Sequence, residues 1–185
     1  MTARLRLQMR WDCRWWPTSG VLICLVFLIL AGLVGGCLGL RINLTPSVPL
    51  GIWRIVALER PVRTGDRVFV CPPLTPVIQE GLRRGYLRHG LCKGKIAPLI
   101  KTVAAMPGQS VLISDFVYID GHLLAHSRLL PFDSKGRSLS PHSGGPVPAG
   151  AVYLHSDFPS SFDSRYFGPL PRGSILGLAR EVWIW

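Results

Sequence analysis

The chain has 185 residues, enough for one domain with its own core, and carries 21 Lys and Arg against 10 Asp and Glu, a formal net charge of +11. Such an excess suits an anionic surface or an acidic partner, but no zinc-finger, helix-turn-helix or RNA-binding signature accompanies it, so nucleic acid is not an expected partner. None of the five cysteines has the spacing of a structural zinc site, and no metal or cofactor is expected.

The first nineteen residues are basic, with Arg4, Arg6, Arg10 and Arg14 against the single acid Asp12. Residues 20–40 follow without a charge and would span about 31 Å as a helix, close to one hydrocarbon core. The positive-inside rule puts residues 1–19 in the cytoplasm, with Trp11, Trp15 and Trp16 in an interfacial belt. Residues 20–40 then form a transmembrane anchor, and residues 41–185 an extracytoplasmic domain. A cleaved signal peptide is the rival reading, but the run is long for one and no A-x-A stretch follows it. A lipoprotein reading would use Cys37, and Val34 and Gly35 suit that poorly.

Beyond the span, short apolar runs alternate with Gly and Pro, the pattern of a mainly β domain. Strands are expected within 52–58, 63–70 and 98–108, around an Asp120-Gly121 hairpin turn, in "GAVYLHS" and in the C-terminal "SILGLAREVWIW". One helix is expected, capped by Thr75 with Pro76 first, carrying Ile78, Leu82 and Tyr86 on one face and ending near Gly90. Its other faces carry Arg83, Arg84 and Arg88, an ordinary solvated surface or one that touches anionic headgroups. Residues 131–150, rich in Ser, Gly and Pro, read as a long loop. Cys71 and Cys92 are the cysteines of the exported part, and an oxidising compartment permits a bridge between them. Closing that loop is worth about 3 kcal/mol in the chain-entropy account.

Three places carry chemistry. In "NLTPSVPLGIW" (43–53), Ser47 sits between Pro46 and Pro49, which stiffen the backbone, and Thr45 lies two residues before it. The Ser47 N–H and the Thr45 hydroxyl are candidate oxyanion donors. In "LIKTV", strand alternation puts Lys101 on one face with Leu99 and Val103. Its ordinary reading is an edge-strand lysine reaching water. A buried amine would instead lose its proton readily and serve as a general base for a serine. In "SFDSRYFGP" (161–169), Asp163 and Arg165 could pair on one face of an extended segment, and Ser161 could orient the lysine amine.

Taken in order after an N-terminal anchor, "TPSVP", "LIKTVAAMPG" and "SFDSRYFG" resemble the three blocks of the type I signal peptidases, serine proteases with a Ser/Lys dyad. The compact N-x-T-x-S-x-P-x-G pattern is more similar to the conjugal-transfer branch, the TraF-type peptidases. Thr102, Gln109 and Phe167 stand where that family usually has Arg, Asp and Trp, and "HSDFPS" replaces its G-D-N lead.

The resemblance implies a β-rich signal-peptidase-like domain with one or two short helices. It assigns catalysis to Ser47 and Lys101, support to Thr45, Ser161 and Arg165, and a part in the transfer step to Asp163. It implies a membrane-tethered protein precursor as partner, most simply a pilin precursor, with cutting and, in that branch, joining of the ends. The location implied is the bacterial inner membrane with a periplasmic catalytic domain. A general signal peptidase serving many exported proteins, and a non-catalytic anchored scaffold, are the alternatives.

Overall fold

The computed structural model describes residues 16–185, with side chains from Gly20 onward. Residues 1–15 of the expected cytoplasmic segment, with Trp11, Trp15 and Cys13, lie outside the described residues, and its residues 16–19 already belong to the first helix.

The first helix, α1 (Trp16–Cys37), is apolar on every face, and its side chains from Val21 to Val34 are exposed among the described residues. A helix that is apolar all round and unpacked fits a lipid environment, and 18 of its residues form one uncharged window long enough to cross a membrane. It stops at Cys37, short of the expected Leu40. Gly39 takes a positive φ of 75° that a helix does not accommodate, and Leu40 already hydrogen-bonds as a strand.

The following residues form a mainly antiparallel β domain. The strands are β1 (Leu40–Asn43), β2 (Gly51–Val56), β3 (Arg67–Val70), β4 (Leu99–Ala105), β5 (Ser110–Ile113), β6 (Val117–Ile119), β7 (His122–Leu123), β8 (Gly145–Pro146), β9 (Ala151–His155), β10 (Leu170–Pro171) and β11 (Ile175–Ile184). Seven make one sheet in the order β1-β2-β11-β3-β4-β9-β10, and four make a second in the order β7-β6-β5-β8. The ten-residue β11 pairs with β2 along its second half and β3 along its first, so the chain terminus ties the sheet together. Gly51 opens β2 where β11 leaves no room for a side chain: a Cβ there would lie 2.1 Å from the Trp183 carbonyl oxygen. The β6–β7 turn is Asp120-Gly121, both at positive φ as a type I′ turn requires. Within residues 131–150 the loop is pinned by the bridge Phe132↔Ser138 and by β8.

Two short helices complete the domain: α2 (Pro76–Arg83) and α3 (Ser164–Phe167). In α2 the Thr75 hydroxyl accepts from the Ile78 N–H and Pro76 takes the first turn. The helix ends at Arg83 rather than near Gly90. Gly85 turns the chain with φ of 81°, and the N–H groups of Tyr86 and Leu87 fold back onto the Gly81 carbonyl. The largest core gathers Val68, Val70, Val103, Val152 and Leu154 from the main sheet with Ile78, Ile96, Phe167 and Leu170. A second lies under β5 and β6, and a third around Trp53, Phe69, Ile100 and Ala179.

Candidate active site

Asn43, the last residue of β1, organises the turn that carries Ser47. Its side-chain amide donates to the carbonyls of Thr45, Val48 and Pro49 at 2.8–3.0 Å, and its Oδ1 accepts from the Thr45 N–H and hydroxyl. One buried side chain thus replaces the ladder bonds that two prolines deny this stretch. Trp53, fully buried on β2, donates its indole N–H to the Pro49 carbonyl and closes the turn from the other end. The Thr45 hydroxyl stands 3.4 Å from Ser47 Oγ, while its own proton is committed to Asn43.

Lys101 does not reach water. It lies on β4 between β3 and β9, opposite Val68, and is 4 % exposed. Interior position in the sheet, which a single strand's alternation leaves undefined, replaces the snorkelling edge-strand reading. Its Nζ donates to Ser161 Oγ at 2.6 Å. Burial pulls the amine down to about 8 from its ordinary 10.5; the negative Asp163 opposes this and the positive Arg165 assists. A lysine of this kind is unprotonated in part near neutral pH and mainly so at mildly alkaline pH, where it can accept a proton.

Ser161 is held by its neighbours. The Phe162 ring lies 5.1 Å from Tyr86, 5.8 Å from Tyr166 and 5.7 Å from Phe167, centroid to centroid. Gly81 of α2 lets that ring approach so closely that a Cβ would fall 2.6 Å from it. Asp163 and Arg165 pair, but across the start of a helix rather than along an extended segment. Asp163 caps α3, and its carboxylate takes Arg165 Nε and Nη2 at 2.8 Å each. Both side chains are fully buried, and Arg165 also donates to the carbonyls of Ser161 and Arg128. Burial pushes the Asp163 carboxyl up, yet nearby His155 and Arg165 outweigh it and hold it below its ordinary value.

Three polar residues beyond the expected set join this framework. Asn43 stands in the N-x-T-x-S pattern, where its spacing was the signal. Ser156 donates its hydroxyl to the Ser47 carbonyl at 2.5 Å and its N–H to Asp163 at 3.1 Å, tying the Ser47 turn to the buried acid. His155 is 3 % exposed, with Nδ1 3.5 Å from Asp163 and Nε2 3.8 Å from Asp157, and neither ring nitrogen makes a hydrogen bond among the described residues. The signal for both lay in "HSDFPS", the departure from G-D-N.

Ser47, Thr45, Lys101 and Ser161 line one cavity of about 640 Å³, whose walls are mainly apolar. Ser47 and Lys101 share no hydrogen bond there; Asp163 and Arg165 stand behind Ser161 and do not line it. Cys71 and Cys92 are joined as a disulfide with Cα atoms 5.6 Å apart, and both border the cavity. No cluster of three or more His, Cys, Asp or Glu able to hold a metal ion occurs among the described residues. A serine hydroxyl and a buried, easily deprotonated amine facing one apolar cavity can carry out nucleophilic acyl transfer.

The family model described as signal peptidase, peptidase S26, matches residues 13–185. A conjugal transfer protein TraF of Agrobacterium fabrum (strain C58 / ATCC 33970) is 55 % identical over 152 residues, covering 82 % of this chain and 85 % of that protein. A plasmid transfer protein TraF of Escherichia coli is 38 % identical over 152 residues, covering 80 % and 84 %. Among solved structures, a signal peptidase I from Enterococcus faecalis V583 aligns over 64 % of this chain and 97 % of its own at 20 % identity, with a TM-score of 0.40.

Proposed function

Since the chain belongs to the signal peptidase, peptidase S26, family, we propose that it is a membrane-anchored serine endopeptidase that processes an exported, membrane-tethered precursor. Its relatives named as conjugal and plasmid transfer proteins point to a precursor of the mating apparatus, a pilin above all. The observation that carries this reading is Lys101: buried, fixed on Ser161, pulled down to about 8, and lining the cavity that also holds Ser47.

In this mechanism the neutral Lys101 amine takes the Ser47 hydroxyl proton as Oγ attacks the scissile carbonyl. The bond between them forms in the substrate complex, where catalytic hydrogen bonds commonly tighten. The Ser47 N–H and the Thr45 hydroxyl, turned away from Asn43, hold the oxyanion. Lys101 then delivers the proton to the departing amine, leaving an acyl-serine. Water resolves it to a cut chain; a peptide amine resolves it to a new peptide bond, and apolar cavity walls favour the amine by keeping water out. Asp163 serves first as the counter-ion that fixes Arg165 and, through it, the Ser161 carbonyl. The anchor keeps the site near the bilayer by sequence alone: nine residues lie between Cys37 and Ser47.

Mass spectrometry of the candidate pilin, co-expressed with wild-type protein or Ser47→Ala, tests this reading. Wild type yields a shortened product, linear or lighter by one water if the ends are joined; Ser47→Ala leaves the precursor intact. Processing by Ser47→Ala at the wild-type rate overturns the reading and favours an anchored scaffold. Cleavage of many unrelated exported precursors would mark a general signal peptidase instead.

A further inference from the structure

The cavity has a charge as well as a shape. Among the described residues no Asp or Glu lines it, whereas Arg41, Arg88 and Lys101 do. Lys101 is occupied by its bond to Ser161, and Arg41 donates to the Leu40 carbonyl. The surrounding acids are already spent on other arginines: Glu80 on Arg83 and Arg84, Asp133 on Arg137, Asp163 on Arg165. Arg88 is left over. Its guanidinium is exposed and makes no ion pair or hydrogen bond among the described residues.

Its backbone, by contrast, is well fixed. The Ala97 N–H donates to the Arg88 carbonyl, His89 bridges Ile96, and Ile96 is fully buried. The Cys71–Cys92 disulfide staples this hairpin to the end of β3. Toward its tip Leu91 is 94 % exposed and also borders the cavity, whose apolar lining includes Leu99, Phe162 and Leu176. A braced wall that offers an unspent guanidinium beside an unspent leucine is complementary to a peptide with an apolar segment and a carboxylate. Nucleic acid would not use the apolar surface.

We propose that the precursor segment entering this cavity is apolar and carries a carboxylate, from an Asp or Glu side chain or from the chain's own C-terminus, and that Arg88 is the specificity-determining residue that captures it. The inference deepens the peptidase reading and rests on it for the identity of the occupant.

The test uses the full chain in phosphatidylcholine nanodiscs and fluorogenic apolar dodecapeptides. The peptides differ only by Glu, Gln or Lys at one scanned position, or by a C-terminal carboxylate against an amide, which separates the two sources. Wild type should favour one acidic arm over its neutral partner by about tenfold, mainly in KM. Arg88→Gln should erase the preference, and Arg88→Glu should turn it toward Lys. An acid preference that survives in Arg88→Gln, or no charge preference in wild type, overturns the proposal. So does an Arg88→Gln variant that loses only binding to anionic vesicles, since the arginine then serves a membrane. Fluorescence anisotropy with Ser47→Ala reads binding without turnover. If wild type cuts nothing while Ser47→Ala still binds acid over amide, the peptidase reading falls and this one stands. If no peptide binds or is cut, this one falls.

Discussion

Ser47 and Lys101 border the same cavity but are held by opposite means. Ser47 rides a half-exposed turn whose shape is written within a few residues, by Asn43, Thr45 and two prolines. Lys101 is part of a sheet interior, and its partners come from positions sixty residues away, through Ser161 and the Asp163–Arg165 pair. The turn gains order from neutral hydrogen bonds that each contribute little. The buried cluster removes a lysine, an arginine and an aspartate from water and is tolerable only while every member keeps its partner. The support of Ser47 is therefore local and replaceable, and that of Lys101 is cooperative and fragile.

That contrast can be broken most severely at the reacting groups. Ser47→Ala and Lys101→Ala should each reduce precursor processing by about a thousandfold or more, measured by gel shift of the precursor in membranes, with protein abundance preserved. Residual activity within tenfold of wild type in either would remove that residue from the mechanism. The wild-type rate at limiting substrate should rise with pH to a plateau above about 8, because the working form of Lys101 is the unprotonated one. A plateau already reached at pH 6 would exclude this lysine as base.

Stability sharpens the same contrast. Arg165→Leu leaves Asp163 buried without its partner and should cost about 3–5 kcal/mol in denaturant unfolding. Lys101→Met should act in the other direction. The amine is depressed from 10.5 to about 8, so the unfolded chain binds the proton more tightly, and the native state is penalised wherever that proton is present. The variant should gain about 3 kcal/mol at pH 7, an advantage full below pH 8 and lost as pH rises to 10.5. A variant advantage that grew with pH would have the wrong sign and sink the assignment. Asn43→Ala should cost about 1–3 kcal/mol from the carbonyls it orphans, and should lower processing without moving the pH midpoint. A shifted midpoint would show the two supports to be one.

Several parts of the fold were legible from residues alone. Pro76 after Thr75 marked the start of α2, because a missing N–H is harmless there. Asp120-Gly121 marked a hairpin, because few other pairs take positive φ twice. The end of α2 was misplaced because Gly85 and Gly90 are equivalent as letters; in the fold it is Gly85 that takes positive φ while the Tyr86 N–H turns back to the Gly81 carbonyl. For the site, Lys101 was found, but its burial stood as one of two readings, since alternation gives a face and not what covers it. Ser156 and His155 went unassigned because only the fold brings Ser156 to the distant Ser47 and turns the chain after β9 so that Asp163 meets His155.

The sequence by itself determined what short-range chemistry decides: an uncharged apolar stretch that has no place in water, turns where Gly and Pro restrict φ, and an ordered set of Ser, Lys and Asp-Ser-Arg blocks. Tertiary structure alone decided which lysine loses its solvent, which hydroxyl it holds, that Asp163 caps a helix while pairing with Arg165, and that one arginine beside the cavity keeps no acid of its own. Those are properties of dielectric and distance, and both are set only when strands far apart in the chain come to lie side by side.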